Sequence, residues 1–230
     1  MQELENSKYL PLTTNSKIFR GKPMTTIMQT GKHNMDNLTK QELGKLFPIV
    51  IVPPNSNWVN LFEKEKKIII DTLGEHIALK VEHFGSTSVP NLAAKPTIDI
   101  LVEIPSTDDF KNFVVDKMKN IDYHFIWRTD CGQPYMMFVK GYSSNGIIEQ
   151  TYHIHMAPKS HPLWDRLYFR DYLKQHPEIA KNYEEIKYQL AEKHKYDRED
   201  YTTAKTEFIT KVTEIAKNEN KKTADNKTQK

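Results

Sequence analysis

The chain has 230 residues, with 30 Asp+Glu against 33 Lys+Arg, a formal net charge of +3, 38% hydrophobic residues and one cysteine, Cys131. That length fits one domain of ordinary size, and so small a net charge leaves no case for the concentrated basic face of a duplex-DNA binder, while anionic small molecules stay open as partners. A single cysteine excludes an internal disulfide framework and argues against a cysteine-based zinc site.

Residues 1–37 are polar and aperiodic and read as a flexible leader. They lack the basic and apolar regions of a secretory signal, and no apolar run reaches the length of a membrane span, so the expected location is cytoplasmic. The ordered domain is expected over 38–217. It opens with Thr39 and Glu42 at capping-box spacing before Leu43, Leu46 and Phe47, a short helix that stops before Pro48. "IVIVPPN" then reads as a short strand. From Asn57, the residues Trp58, Leu61, Phe62, Ile68, Ile69 and Leu73 form a helical stripe that ends at Gly74.

"IALKVEHF" and Thr97–Ile104 read as strands. Thr107 or Asp108 is placed to cap a helix carrying Phe110, Phe113, Val114 and Met118. "YHFIW", "YMMFVKG" and "IIEQTYHIHM" are further strands between Gly and Asn turns. After His161 the pattern becomes helical. Leu163, Leu167 and Leu173 lie in one segment, Pro177 starts another with Ile179, Tyr183, Ile186 and Leu190, and Tyr201 to Ile215 makes a last amphipathic helix. Residues 218–230 read as a disordered, solvated tail. Strands in the middle and helices at the ends give an α+β class.

Chemistry concentrates in "HFGSTSVPNLAAKPTIDILV". Strand alternation sends Ile98, Ile100, Val102 and Ile104 to a core face, and Thr97, Asp99, Leu101 and Glu103 to the other. A carboxylate at Asp99 is tolerable only if that face meets a cleft or a partner charge, such as Lys95 or Arg128. Upstream, Gly85 lets the backbone approach a ligand, the next amides can form an anion nest, and Ser86, Thr87 and Ser88 add hydroxyls. Lys95 adds a positive charge. On "IEQTYHIHM", Glu149, Thr151, His153 and His155 share one face, and the two histidines could contact phosphate, ligate a metal or act as a base. Lys140 and Arg170 are further candidate anion contacts, although Arg170 beside Asp171 and Asp165 fits a helix-packing ion pair better.

These residues closely resemble the signature of the GrpB (UPF0157) family, within the nucleotidyltransferase-like superfamily of the DNA polymerase β kind. "YHIHMAPKSHPLWDRLYFRDYLKQHPEIAKNYEEIKYQLAEKHKYDREDYTTAKTEFI" resembles the family's second half, so the likeness spans roughly residues 45–215. It implies a mixed β-sheet flanked by helices, with a C-terminal helical portion closing one side. It further implies nucleotidyl transfer from a nucleoside triphosphate to a small-molecule or protein hydroxyl. Gly85 and Ser86, with Thr87 and Ser88, would hold the phosphates and Lys95 would offset their charge. Asp99 would bind Mg2+, and His153 or His155 would polarise or deprotonate the acceptor.

The superfamily pattern asks for a second carboxylate two residues after Asp99, where this chain has Leu101. Glu103 is four strand steps away, about 13 Å, too far to share an ion. That departure supports an alternative expectation, a non-catalytic nucleotide- or CoA-binding module like the accessory domain fused to dephospho-CoA kinase. No Gly-x-x-x-x-Gly-Lys-Ser/Thr loop is present, so the chain is not itself such a kinase.

Overall fold

A computed structural model describes residues 38–107, 109–129 and 132–228. The expected leader, Asp108 and Cys131 lie outside the described residues. The elements in chain order are α1 (Lys40–Leu46), α2 (Asn57–Leu73), β1 (Lys80–Phe84), β2 (Thr97–Glu103), α3 (Lys111–Lys119), β3 (His124–Arg128), β4 (Tyr135–Ser143), β5 (Gly146–Ala157), α4 (Arg166–Gln175), α5 (Pro177–Lys193), α6 (Arg198–Ala204) and α7 (Thr206–Thr228), with 3-10 turns at Ser86–Ser88 and Pro162–Asp165.

The strands form one sheet in the order β1-β2-β5-β4-β3. β2 and β5 run parallel and the remaining neighbours are antiparallel, so the sheet is mixed. A parallel pair needs a crossover, and here α3, β3 and β4 make it, leaving β5 inserted beside β2. The α+β expectation of a mixed sheet flanked by helices therefore holds.

Alternation along the strands decides the layers. Ile98, Ile100, Val102 and Ile104 face a core with Met136, Phe138, Ile154 and Met156, closed by Trp58, Phe62, Ile69 and Leu73 of α2 and by Val114 and Met118 of α3. The opposite face carries a second cluster of Phe84, Leu101, Tyr135, Met137 and Val139 under Phe47, Leu163 and Trp164. The C-terminal helices pack Phe169, Leu173, Tyr183 and Val212 against Val89 and Leu92, next to the turn that follows β1.

Local rules account for the element ends. The Thr39–Glu42 capping box forms in both directions, each orphan amide at the helix start finding a side-chain oxygen. Pro177 occupies the first turn of α5, where its missing N–H costs nothing.

Five expectations need correction. "IVIVPPN" makes an isolated bridge, Val52 to Ala94, in place of a strand, because Pro53 and Pro54 have no amide to extend a ladder. Only Lys80–Phe84 of "IALKVEHF" is strand. The first residues of α3 follow Phe110, which makes no side-chain cap, so Thr107 does not start that helix. The last amphipathic helix is divided at Lys205 into α6 and α7. Thr202 and Thr206 return their hydroxyls to the carbonyls of Arg198 and Thr202, and such back-bonding weakens a continuous helix. Finally, α7 runs on to Thr228, through most of the expected tail. "NENKKTADNK" has no Pro or Gly and is rich in residues that a helix tolerates.

Candidate functional site

β1 delivers the chain to Gly85, whose φ of 71° and ψ of −177° suit a residue without Cβ. That bend is pressed against β2. A Cβ added to Gly85 would collide with Asp99 Oδ2 and lie 3.0 Å from Asp99 Cβ and 3.1 Å from Cγ. The glycine is required both by backbone conformation and by contact with the acid.

The three hydroxyls after the bend are not equivalent. Ser88 Oγ donates to the Gly85 carbonyl at 2.6 Å, closing the turn. Thr87 Oγ1 donates to Thr97 O at 3.1 Å and contacts His83 Nε2 at 3.1 Å. Since that hydroxyl has already spent its proton, His83 must donate through Nε2, a neutral tautomer consistent with burial pushing its pKa down to about 4. Thr87 and Ser88 are thus buried and internally used, contrary to the expectation that all three meet a ligand. Ser86 is only partly buried and lies beside Tyr183 of α5.

The parallel register sets Asp99 beside His153, and Leu101 beside His155. His153 Nδ1 lies 3.5 Å from Asp99 Oδ1, with side-chain exposures of 15% and 28%. Its other nitrogen, Nε2, meets the Tyr142 hydroxyl at 2.8 Å. His155 stacks on Tyr135 at 5.6 Å and meets the edge of Phe84 at 5.2 Å, while its Nδ1 is buried with no hydrogen-bond partner among the described residues. One ligand atom from each of Asp99, His153 and His155 falls within 4.8 Å of the others, a grouping that could hold a metal ion.

The electrostatics separate the acid from the bases. Burial pushes Asp99 up, but His153 and the positive charge of Lys95 outweigh it and hold it as a carboxylate. Burial pushes both histidines down, His155 to about 3, so both are neutral. Burial also depresses Lys95, helped by Arg198 and Lys205. Lys205 is brought down to about 8 by burial, with Arg166 and Arg198 adding to the effect. Cations are therefore crowded here. Lys95 and Lys205 lie over the Tyr201 ring at 5.6 and 4.1 Å, and Arg198 over Tyr142 at 5.7 Å.

Arg166, Arg198, Lys205 and Tyr142 are not among the candidates that the sequence offers, and Tyr201 is there only as a helix residue. A signal existed: Arg166 and Arg198 are the first residues of α4 and α6, where a positive charge opposes the helix dipole. Two other candidates fall elsewhere. Lys140 points to the opposite face, paired with Glu65 of α2 at 2.6 Å and lying over the rings of Tyr123 and Tyr152. Tyr123 donates to the same Glu65 oxygen at 2.8 Å. Arg170 bonds Glu82 and the His83 carbonyl and forks onto Asp171, tying α4 to β1 as a packing residue.

Mg2+ takes hard oxygen ligands in a near-ideal octahedron. Asp99 offers one such oxygen; Leu101 is fully buried in the apolar cluster and offers none. The remaining donors are imidazoles, so these residues do not fit Mg2+ as a resident ion.

Fold and site together define an α+β protein with an acid–histidine cluster beside a glycine bend, ringed by cations from the C-terminal helices. Residues 48–215 match the family described as GrpB protein, and the chain belongs to that family. Glutamate-rich protein GrpB of Alkalihalophilus pseudofirmus is 32% identical over 165 residues, covering 71% of this chain and 93% of that protein. UPF0157 protein YqkA of Bacillus subtilis is 36% identical over 170 residues, 74% of this chain, and the chain spans 47% of its length. The crystal structure of conserved protein GrpB from Enterococcus faecalis superimposes with a TM-score of 0.62 at 34% identity, covering 73% of this chain and 96% of that one.

Proposed function

We propose that the protein binds a nucleoside triphosphate at this site and transfers the nucleotidyl group to a hydroxyl of a small-molecule or protein acceptor. The observation that carries the reading is the charge arrangement: Lys95 and Lys205 face one carboxylate, with Arg198 near His153 and near both lysines, and Arg166 near His155, beside a bend from which a Cβ is excluded. Among the described residues Lys95, Arg166, Arg198 and Lys205 make no ion pair, and cations so placed suit a polyphosphate. Gly85 lets the backbone approach it, and Ser86 supplies the one partly exposed hydroxyl of the turn.

In the reaction the acceptor oxygen attacks the α-phosphorus, the bond to the bridging oxygen breaks, pyrophosphate leaves and the hydroxyl proton passes to water. Catalysis by positioning and by cations facing the developing charge suits such a step. Burial brings His155 down to about 3, so it accepts a proton poorly at neutral pH and does not fit the base expected of it, whereas His153, whose basicity the Asp99 carboxylate supports, keeps that candidate role.

One observation favours a second reading. Leu101 removes the second carboxylate, so the domain would bind a nucleotide or a CoA-type ligand without turnover, as an accessory module would. Thermal shift with nucleoside triphosphates and with CoA tests binding. A ligand at a hundred times its Kd adds about 2.7 kcal/mol, roughly 5–10 °C for a chain of this size. Pyrophosphate release then separates transfer from binding alone. Asp99→Asn removes the charge that faces Lys95 and Lys205 and is expected to abolish release while the protein stays folded; undiminished release would rule out that positioning role for the acid.

A further inference from the structure

We propose that Asp99, His153 and His155 are a binding site for a divalent transition ion of the Zn2+, Co2+ or Ni2+ kind, and not for Mg2+. It goes beyond the transfer reading and does not depend on it, because ion binding is measured with no nucleotide present.

The donor set comes first. Two imidazoles and one carboxylate from adjacent parallel strands give three ligand atoms within 4.8 Å of one another. Imidazole suits Zn2+, Cu2+, Fe2+ and Ni2+, whereas Mg2+ prefers oxygen and water. Three protein ligands with remaining positions open is the arrangement of a catalytic zinc centre. The separation of His153 Nδ1 from Asp99 Oδ1, 3.5 Å, is close to what two bonds of about 2.0–2.1 Å at a tetrahedral angle span.

The surroundings supply a second, independent line. A ligating histidine ordinarily donates its outer N–H to a fixed acceptor. His153 has that acceptor in place: Nε2 meets the Tyr142 hydroxyl while Nδ1 faces the acid. Ion binding at Nδ1 fixes the proton on Nε2, so that His153 donates and Tyr142 accepts. The orphaned Nδ1 of His155 has a related meaning. A buried polar nitrogen with no hydrogen-bond partner among the described residues is costly, and it belongs to one of the three residues of the grouping. The neighbouring cations oppose a bare divalent charge, and they also leave an anion well placed to fill the ion's open positions. The metal site and the phosphate site would then adjoin, with Asp99 between them.

The test uses the full chain stripped with a chelator and then titrated with Co2+ and with Mg2+ separately. Binding is followed by calorimetry and by the visible absorption of bound Co2+. The expected result is one Co2+ per chain in a band that Zn2+ displaces and excess Mg2+ does not. Asp99→Asn and His155→Gln should each abolish the band. Tyr142→Phe should weaken binding about 10–100-fold, the usual effect of losing a partner to a ligating histidine. Should His155→Gln fail to fold by circular dichroism, Tyr142→Phe and His153→Gln carry the test instead. Stoichiometric Co2+ binding that survives these substitutions, or displacement by Mg2+ as effective as by Zn2+, overturns the proposal, as does no binding to the folded wild-type chain. If Co2+ binds as described but no nucleotide does, the transfer reading fails alone.

Discussion

Gly85→Ala separates the two demands made on that residue. The backbone there, φ 71° and ψ −177°, lies in a region that only glycine populates freely, and such strain costs roughly 1–3 kcal/mol. The new Cβ also meets Asp99 Oδ2, Cβ and Cγ. To relieve that, Asp99 must leave its rotamer, at about 0.5–1.5 kcal/mol, and move off His153. The single substitution is therefore expected to destabilise the chain by roughly 2–5 kcal/mol. In an Asp99→Gly background the atoms that clash are gone, and Gly85→Ala should cost only the backbone share. A double-mutant cycle by urea denaturation should return a coupling of about 1 kcal/mol or more between these positions. Strict additivity would refute the claim that the bend and the acid press on each other. The variant should also lose any Co2+ site, because the acid can no longer stay beside His153.

Acid should destabilise the fold through His83. Its pKa falls from 6.5 unfolded to about 4 folded, so between those values the unfolded chain binds the extra proton. Stability is then complete above pH 6.5 and lost as pH falls toward 4, by on the order of 2.5 × 1.36 ≈ 3 kcal/mol; His83→Phe should flatten the slope of denaturation free energy against pH, and an unchanged slope would contradict the assignment. Breaking the buried Glu65–Lys140 pair on the far face by Glu65→Gln should cost about 3–5 kcal/mol without altering the response to nucleotide or Co2+, since neither residue faces the site. Lys205→Met should behave oppositely, with unchanged or higher melting temperature for the free protein and a smaller shift with pyrophosphate or nucleoside triphosphate. Relieving crowded cations helps the empty fold and harms anion capture.

Legibility followed range along the chain. The faces of β2 and β5 were readable because period two is enforced by the pleat, and Asp99, His153 and His155 fell on one face as alternation required. The Thr39–Glu42 cap and the Pro177 start are likewise local. What alternation could not show is which hydroxyl of Ser86, Thr87 and Ser88 remains for a ligand, since that depends on the buried carbonyls of Gly85 and Thr97. Helical spacing in α5 suggested Ile179, Tyr183, Ile186 and Leu190, yet the buried set is Ala180, Tyr183, Lys187 and Ala191. A lysine in a buried stripe is invisible to a hydrophobic pattern. Its role appears only with its partner, the carbonyl of Ala93.

That partner explains how distant pieces come to share one site. Glu184 accepts the Ala93 amide at 2.5 Å while Lys187 donates to the carbonyl of the same residue. Ala94 bridges to Val52. One turn of α5 thus grips both the amide N–H and the carbonyl of the residue two positions before Lys95. The sheet supplies the acid and the histidines, but the placement of Lys95, and the presence of Arg166, Arg198 and Lys205, come from helices that follow it in the chain. The two sets therefore have separable failure modes. Loosening the grip by Glu184→Ala should leave the Asp99–His153–His155 grouping intact, since none of its contacts pass through Ala93, while displacing Lys95. Anion binding should fall and Co2+ binding should persist. Loss of both together would mean that the cluster and the cationic ring are one mechanical unit, with the sheet alone unable to hold its three donors in place.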